Sequence, residues 1–408
     1  MSSRRKLSDR GLLLMSWIFS AISVAVLVVI LVYIFRTGWS VLSPDFIKNN
    51  YRSDSFYALL EEAPAGDFTA PAELPEGAAF SRKFGFALSN AKDKQNNDVT
   101  QLVYLDPESP LNEAVMDSAG VDLAPKGEAI RPPEGLIIDR IQFLDAQGEK
   151  GEVGSKKQMD AQNSIDLLDE EAASLVKFHG LTMGGGIRGS LLTTLILILL
   201  TLIIAIPLGI AAAVWLNELA PKNKTTALLR TGVDMLSGVP SIIFGLMGMT
   251  MLFEITRLFG ITEQSIVLGA LTMSVVLLPL VIRQTEEALK TVPVSMRMGS
   301  LSLGASRTQT IFHVVLPQAL PGIVTAVLLS MSRIIGESAA LIYTMGTAIV
   351  DHPQLHRGAT TLALHIWKVM SGEQPDFQMA AGISIVILVM VLFMNLITRL
   401  LLRRFRRN

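Results

Sequence analysis

Residues 189–216 read GSLLTTLILILLTLIIAIPLGIAAAVWL, which is a run of 28 residues without a charged side chain. A helix needs about 20 apolar residues to cross the hydrocarbon core of a bilayer, so this run is long enough to span one. Five further uncharged runs, of 19 to 24 residues, cover positions 12–35, 235–253, 264–282, 314–332 and 377–398. The sequence therefore predicts an α-helical membrane protein with six transmembrane helices.

The overall composition excludes several classes of function. The chain has no cysteine, which excludes disulfides, zinc–thiolate sites and a cysteine nucleophile. Its formal net charge of −1 argues against nucleic-acid binding, which usually requires a basic excess. The loops show no nucleophile–base pair and no metal-ligand set, so the sequence predicts neither an enzyme nor a protein with a cofactor or metal of its own.

The distribution of Lys and Arg predicts the orientation of the spans. Basic side chains concentrate before residue 12, in 217–231, in 283–313 and after residue 402, whereas 254–263 and 344–376 contain few. Cytoplasmic loops carry the excess of Lys and Arg, so both termini are predicted to be cytoplasmic. The first run is longer than the apolar region of a signal peptide, about 7–15 residues, and is interpreted as a retained span.

A long polar segment, residues 40–188, separates the first two spans and carries 25 acidic and 14 basic side chains. The predicted orientation places it outside the cytoplasm. Its first part, 58–80, is rich in Ala, Pro and Glu and is predicted to be a linker. Short strands are predicted at 101–105 and 136–143, and a helix at 164–179. The segment is therefore interpreted as either a small α+β domain or a partly disordered insert.

Prolines, glycines and two charges within the spans suit a translocation path. Broken helices survive in a bilayer only where protein or a water-filled cavity satisfies the freed backbone groups. The third run contains Gly238 and Pro240 beside Ser241, and the apolar pattern of the fifth run continues past Arg333 and Glu337. The i, i+4 spacing of these charges predicts one shared helix face, on which they either form a structural ion pair or line a path for an anion.

The long cytoplasmic loop 283–316 carries the most specific signal. It predicts a short helix, a break at Pro293, and a second helix with a tight corner at Gly304–Ala305. Such a compact knob suits docking into a groove on another protein.

This loop resembles the coupling loop of ABC importer permeases. Gly304 is followed, after nine residues, by Val314, one further residue, Leu316 and Pro317. The family motif has Glu-Ala-Ala, three residues, Gly, nine residues and Ile-x-Leu-Pro. Residues 298–300 are Met-Gly-Ser where the motif has Glu-Ala-Ala.

Three further segments, 205–210, 239–246 and 333–337, resemble the PstA-type permease subunit of phosphate importers. The resemblance implies a type I importer permease in a bacterial inner membrane that conducts inorganic phosphate. The predicted site residues are Arg333, Glu337 and Ser241 in the substrate path, and Arg297, Gly304, Ala305, Val314, Leu316 and Pro317 in the ATPase-coupling loop.

The resemblance also implies partners: a second permease subunit in a heterodimer, a dimer of ATPase subunits, and a periplasmic phosphate-binding protein. The chain has no Gly-x4-Gly-Lys-Ser/Thr loop, so ATP is expected to bind the ATPase partners. The predicted domains are the N-terminus with the first span at 1–39, the insert at 40–188, the permease core at 189–402, and a basic cytoplasmic tail at 403–408.

Two alternatives stay open at this point. Besides a phosphate permease, the sequence is compatible with a permease for another oxyanion, such as molybdate or sulfate. It is also compatible with a membrane sensor or scaffold. In the second case the acidic outer domain is the working part.

Overall fold

The computed structural model describes residues 3–51, 54–71, 74–92, 98–118, 123–182, 184–372 and 375–405. The chain divides into two compact units. The first, called the permease unit, comprises Met1–Lys48 and Ile187–Asn408; the second, called the outer unit, is Asn49–Gly186. For residues 3–12 and 401–405 only the backbone is described, so the basic side chains predicted to mark the two ends lie outside the described side chains.

The permease unit begins with helix α1 (Ser3–Gly38), which contains the first predicted span, and a short helix α2 (Pro44–Lys48). Gly38 allows the end of α1 to touch the backbone of the last helix of the chain. A Cβ built on Gly38 would lie 2.6 Å from both the carbonyl carbon of Ala381 and the nitrogen of Gly382. Since no side chain fits in that space, the first and last long helices approach each other through backbone.

The outer unit is an α+β domain. Its elements are β1 (Ser55–Pro64), β2 (Ala78–Ser81), β3 (Phe86–Lys92), β4 (Asp98–Leu105), β5 (Val115–Met116), β6 (Ile137–Asp145), β7 (Lys150–Val153), α3 (Ala161–Glu171) and β8 (Ala172–Leu181). The described strands form one antiparallel sheet in the order β2-β3-β4-β6-β8-β1-β5, with β7 paired to β6.

The core of the outer unit confirms that the segment folds. Five phenylalanines, Phe56, Phe84, Phe86, Phe143 and Phe178, are fully buried in one cluster together with residues of α3. The two predicted strands are confirmed, since 101–105 lies within β4 and 136–143 overlaps β6 in all but its first residue. Of the two interpretations left open for this segment, the structure shows the α+β domain.

Two sequence predictions for the outer unit are wrong. The helix predicted at 164–179 ends at Glu171, and the chain continues as β8. Strand β8 lies between β6 and β1 and bonds to both, so pairing on two sides outweighs the local helical pattern. The predicted linker begins as a strand instead, because Phe56, Ala58 and Leu60 alternate into the core along β1.

The remaining helices of the permease unit follow in chain order. They are α4 (Arg188–Val214), α5 (Lys224–Leu236), α6 (Ser241–Met247), α7 (Phe253–Arg257), α8 (Ile266–Lys290), α9 (Val294–Ser302), α10 (Arg307–Thr310), α11 (Leu316–Gly336), α12 (Ala339–Met345), α13 (Leu362–Met370) and α14 (Phe377–Phe405). π-helical turns occupy Trp215–Leu219, Gly248–Leu252 and Ile311–Val315.

Among the described residues, five helical stretches are long and apolar enough to cross a membrane, and a bent pair makes a sixth candidate. The five stretches correspond to the first, second, fourth, fifth and sixth predicted spans, to within two residues at their starts for the first and fourth. Helix α8 is the most enclosed of them. Of its most apolar 18-residue segment, 61% is buried, compared with 28% for the corresponding segment of the stretch that contains α4. It is therefore the central helix of the unit.

The third predicted span is not one straight helix. Helix α5 ends at Leu236 and α6 begins at Ser241. Between α5 and the segment Ser241–Arg257 the helix axis bends by 103°. Pro240 has no N–H to continue the helical ladder, and the backbone closes a turn in which Gly238 donates to the carbonyl of Met235. The sixth span candidate is thus the bent pair of α5 with the segment Ser241–Arg257.

Candidate functional site

Two helix breaks lie at the starts of a pair of short helices that pack together. Helix α6 follows the break at Pro240, and α12 follows the break after Gly336. A Cβ built on Gly245 of α6 would lie 2.6 Å from the carbonyl oxygen of Ala340 in α12. A Cβ on Gly248 would collide with Thr272 of α8. The glycines therefore let α6 fit closely between α12 and the central helix.

Arg333 and Glu337 form an ion pair at the second of these breaks. Their Nη2 and Oε2 atoms are 3.9 Å apart, and the Arg333 side chain is 50% exposed whereas that of Glu337 is 9% exposed. The expectation of one continuous helix face is wrong, because α11 ends at Gly336 and Glu337 is extended (φ −80°, ψ 128°). The Glu337 carboxylate also accepts a hydrogen bond of 3.4 Å from the amide of Ala340 in the first turn of α12.

This arrangement separates the roles available to the two charges. Glu337 is held by the backbone of α12, so its carboxylate is fixed in place. Arg333 is only loosely paired and half exposed, and a guanidinium presents several donors in a fork that matches an oxyanion. Ser241 is the first residue of α6 and is partly exposed. The assignment of these three residues to a substrate path stays a prediction.

The loop between α8 and α11 folds as the predicted knob. Helix α9 ends at a corner where Gly304 adopts φ +88°, a conformation that favours glycine. Ser306 and Gln309 then form a capping box at the start of α10, with hydrogen bonds of 3.2 and 2.8 Å. A hydrogen bond of 3.0 Å between the hydroxyls of Ser300 and Thr310 joins the two sides of the corner.

The motif residues after the corner differ in their exposure. Val314 and Leu316 are partly buried, Ala305 is partly buried beside the corner, and Pro317 is exposed near the start of α11. Fully buried Val315, which the motif leaves unspecified, packs into the apolar cluster at this end of the unit. Only the packing of the π-turn shows which face of this segment points inward.

Arg297 makes internal contacts instead of facing outward. Its guanidinium donates to the carbonyls of Val292 and Leu289, the latter at 2.8 Å, and to Oε1 of Glu218 at 3.0 Å. Its side chain is 18% exposed. Arg297 thus ties α9 to the end of α8 and to the π-turn after α4. Sequence reasoning missed Glu218, since 79 positions separate it from Arg297.

The outward surface of the knob includes several exposed apolar side chains. Val294, Met298, Leu303 and Phe312 are all exposed, and Leu303 reaches 91% exposure. Met298, at the front of the motif, is part of this surface. Exposed apolar side chains on a short rigid knob are typical of a docking surface.

Charged side chains on the outer unit link its strands. Asp117, which follows β5, pairs with Lys177 of β8 at 3.2 Å and with Lys126 at 3.4 Å. These hydrogen bonds, first that of Lys177 and then that of Lys126, lower the pKa of Asp117 below its ordinary value. The resulting stabilisation is present at neutral pH and is lost as the pH falls through this lowered pKa.

Residues 205–407 match the family described as "Binding-protein-dependent transport system inner membrane component". The chain is also 38% identical over 241 residues to the "Probable ABC transporter permease protein YqgI" of Bacillus subtilis (strain 168), a match that covers 55% of this chain and 80% of that protein. The chain belongs to this family. It is an ABC importer permease subunit, a non-catalytic multi-pass inner membrane protein of a kind that works with ATPase subunits and a periplasmic binding protein.

Other similar proteins carry more specific names. The chain is 34% identical over 221 residues to the "Phosphate transport system permease protein PstA" of Xylella fastidiosa (strain 9a5c), covering 54% of this chain and 76% of that one. A solved structure titled "Inward facing conformations of the MetNI methionine ABC transporter" matches 54% of this chain and 95% of its own, with 21% identity and a TM-score of 0.43. The family match lies entirely within the permease unit, so it does not extend to the outer unit.

Proposed function

We propose that the chain is one permease half of an ATP-driven importer of inorganic phosphate, and that Arg333 contacts the anion in the path. The observation that carries the proposal is the half-exposed Arg333 beside a fixed, nearly buried Glu337 at a helix break. The 34% identity to a phosphate permease supports phosphate over other oxyanions. A loosely paired arginine binds an oxyanion yet releases it, as a transport path requires.

The remaining parts of the proposal follow from the permease unit. The exposed apolar surface of the knob supports docking to an ATPase subunit in the cytoplasm, which requires that both termini be cytoplasmic. The partly exposed α6 and Arg333 suit an interface with a second permease subunit that supplies the other half of the path. A periplasmic phosphate-binding protein would deliver the anion from the other side of the membrane.

The test is ATP-dependent uptake of labelled phosphate by the Arg333→Ala variant, with assembly checked by copurification of the partner subunits. Loss of a charge-assisted contact predicts a fall in uptake of roughly tenfold or more. Arg257→Ala is the matched control, since Arg257 forms an exposed surface pair with Glu254 at 3.7 Å. Normal uptake in the Arg333 variant would exclude this residue from the path.

Substrate identity is tested by competition in the unmodified protein. Excess unlabelled phosphate is expected to abolish the uptake of label, whereas molybdate and sulfate should leave it nearly unchanged. Inhibition by molybdate or sulfate at the level of phosphate would favour the alternative of a different oxyanion. A sensor role for the outer unit would instead be supported if deletion of residues 60–175 preserved uptake but removed its regulation.

A further inference from the structure

Helix α5 is attached to the permease unit mainly by polar contacts. Thr226 is its buried residue, Arg230 and Val233 are partly exposed, and every other position of Lys224–Leu236 is exposed. These three residues have the i, i+4, i+7 spacing of one helix face. Since apolar burial on this face is limited to Thr226 and Val233, the position of α5 depends on what Arg230 and its neighbours bind.

The end of α8 presents a charged face to α5. Arg283, Glu286, Glu287 and Lys290 have i, i+3, i+4 and i+7 spacing and line a cavity of about 150 Å³ together with Arg230 and Asp234 of α5. The cavity lies at the end of α8 that leads directly into the knob, because α9 begins at Val294. A polar cleft therefore separates the hinged helix α5 from the central helix, next to the coupling loop.

Two ion pairs cross this cleft, and their burial decides which one matters. Arg283 and Asp234 are 3.7 Å apart, but both side chains are more than half exposed, and such pairs contribute little. Arg230 and Glu286 are 3.6 Å apart, and the Glu286 side chain is only 12% exposed. A buried carboxylate that loses its cation is strongly destabilised, so the second pair controls the cleft.

The Arg230–Glu286 distance is longer than that of a charge-assisted hydrogen bond. Charge-assisted N–H···O bonds measure about 2.7–2.9 Å, and the 3.6 Å separation exceeds this. Oε1 of Glu286 and Nε of Arg230 are both buried without a hydrogen-bond partner among the described residues. An approach of α5 by about 1 Å would convert the loose pair into a hydrogen-bonded one.

The pair is also connected to the knob by direct contacts. Arg230 donates to the carbonyl of Leu216 at 2.7 Å, and Arg297 of α9 donates to Glu218 in the same π-turn. Two arginines, one from the hinged helix and one from the knob, thus hold the same short turn after α4. A displacement of the knob therefore moves a turn to which α5 is also attached.

We propose that Arg230 and Glu286 form a latch that closes α5 against α8 during the transport cycle, with the bend at 237–240 as the hinge. The proposal rests on the chain acting as a transporter subunit but not on the identity of its substrate. The structure shows the latch loosely engaged, and movement of the knob on ATP binding by the partners is what tightens or releases it.

The chain contains no native cysteine, so spin labels can be placed directly at Thr231→Cys on α5 and Gln284→Cys on α8. The complex is purified with its ATPase partners through a tag on this chain, and the label-to-label distance is measured without nucleotide and with ATP plus vanadate. The unmodified latch should give two distances whose populations change between these states. One unchanged distance in both states would overturn the proposal.

Variants test whether the Arg230–Glu286 pair causes the change in the label-to-label distance. Glu286→Gln should reduce the population of the shorter distance by about tenfold. Asp234→Asn, which breaks only the exposed pair, is the control and should match the unmodified protein. If Glu286→Gln does not assemble, Glu286→Asp decides, since it keeps the charge and leaves the bond from Arg230 to Leu216 in place but moves the carboxylate away from Arg230. A smaller population of the shorter distance supports the latch, and a distribution like that of the unmodified protein overturns it.

The distance measurement requires no phosphate, so it separates this proposal from the proposed function. A complex that moves α5 but fails to take up phosphate would refute the substrate assignment alone. A complex that takes up phosphate with α5 fixed in both states would refute the latch alone.

Discussion

At the scale of single residues, the two arginines predicted for the site differ in their surroundings. The guanidinium of Arg297 donates hydrogen bonds to two backbone carbonyls and to Glu218. The guanidinium of Arg333, in contrast, is half exposed beside Glu337. Their sequence context alone does not separate an arginine that positions the knob from one that is available to a ligand. The difference arises because Glu218 and the end of α8 come together only in the folded unit.

The corner at Gly304 depends on the backbone conformation of a single residue. Cβ atoms built on Gly304 and on Gly299 would both meet open space, but only Gly304 has a positive φ, +88°. Gly304→Ala should therefore destabilise the knob by about 1–2 kcal/mol through backbone strain. Gly299→Ala, within α9, should stabilise it by about 0.5–1 kcal/mol. Thermal unfolding of the purified complex measures both changes, and equal responses would show that the corner does not depend on φ.

At the scale of elements, the breaks within helices organise the permease unit. The bend between α5 and α6 and the break before α12 bring two short helices into contact against α8. The sequence indicated these positions through Pro240 and Gly336, but the apolar runs continue across both breaks. A run of apolar residues indicates that a segment lies within the membrane, but it does not indicate the direction of the helix axis. The 103° bend was therefore not predictable from the apolar runs.

Gly245 tests the contact between α6 and α12. Its missing side chain leaves room for backbone atoms of Ala340, which cannot move aside as a flexible side chain can. Gly245→Ala should therefore destabilise the unit by about 1–3 kcal/mol and reduce uptake. Gly232→Ala on α5 is the matched control, because a Cβ there meets nothing within 4 Å. Unchanged uptake and unfolding in the Gly245 variant would show that α6 and α12 need not be in close contact.

At the scale of the whole molecule, the chain combines a family permease unit with an outer unit that has a core of its own. The family match covers residues 205–407, whereas Asn49–Gly186 forms a separate sheet domain with fully buried aromatic residues. The polar composition of 40–188 indicated a segment outside the membrane. It did not indicate an eight-stranded sheet among the described residues.

The separate core predicts that the outer unit folds alone. A fragment of Asn49–Gly186 should be soluble and should unfold in one cooperative transition, because its apolar cluster consists of its own residues. Circular dichroism during heating measures this, and Phe178→Ala should lower the midpoint through a buried cavity worth about 3–5 kcal/mol. A gradual, non-cooperative melt would contradict an independent domain.

The sequence by itself determined the membrane class, the number of apolar runs, the knob with its corner at Gly304, and the family. These features are local, because each depends on residues that are close together in the sequence. They are the length of an apolar run, a glycine at a tight corner, and a fixed motif spacing. Tertiary structure alone decided that residues 172–181 form a strand and that Arg230 faces Glu286 across a cleft. Each of these depends on partners distant in sequence, and pairing energy between such partners outweighs local preference.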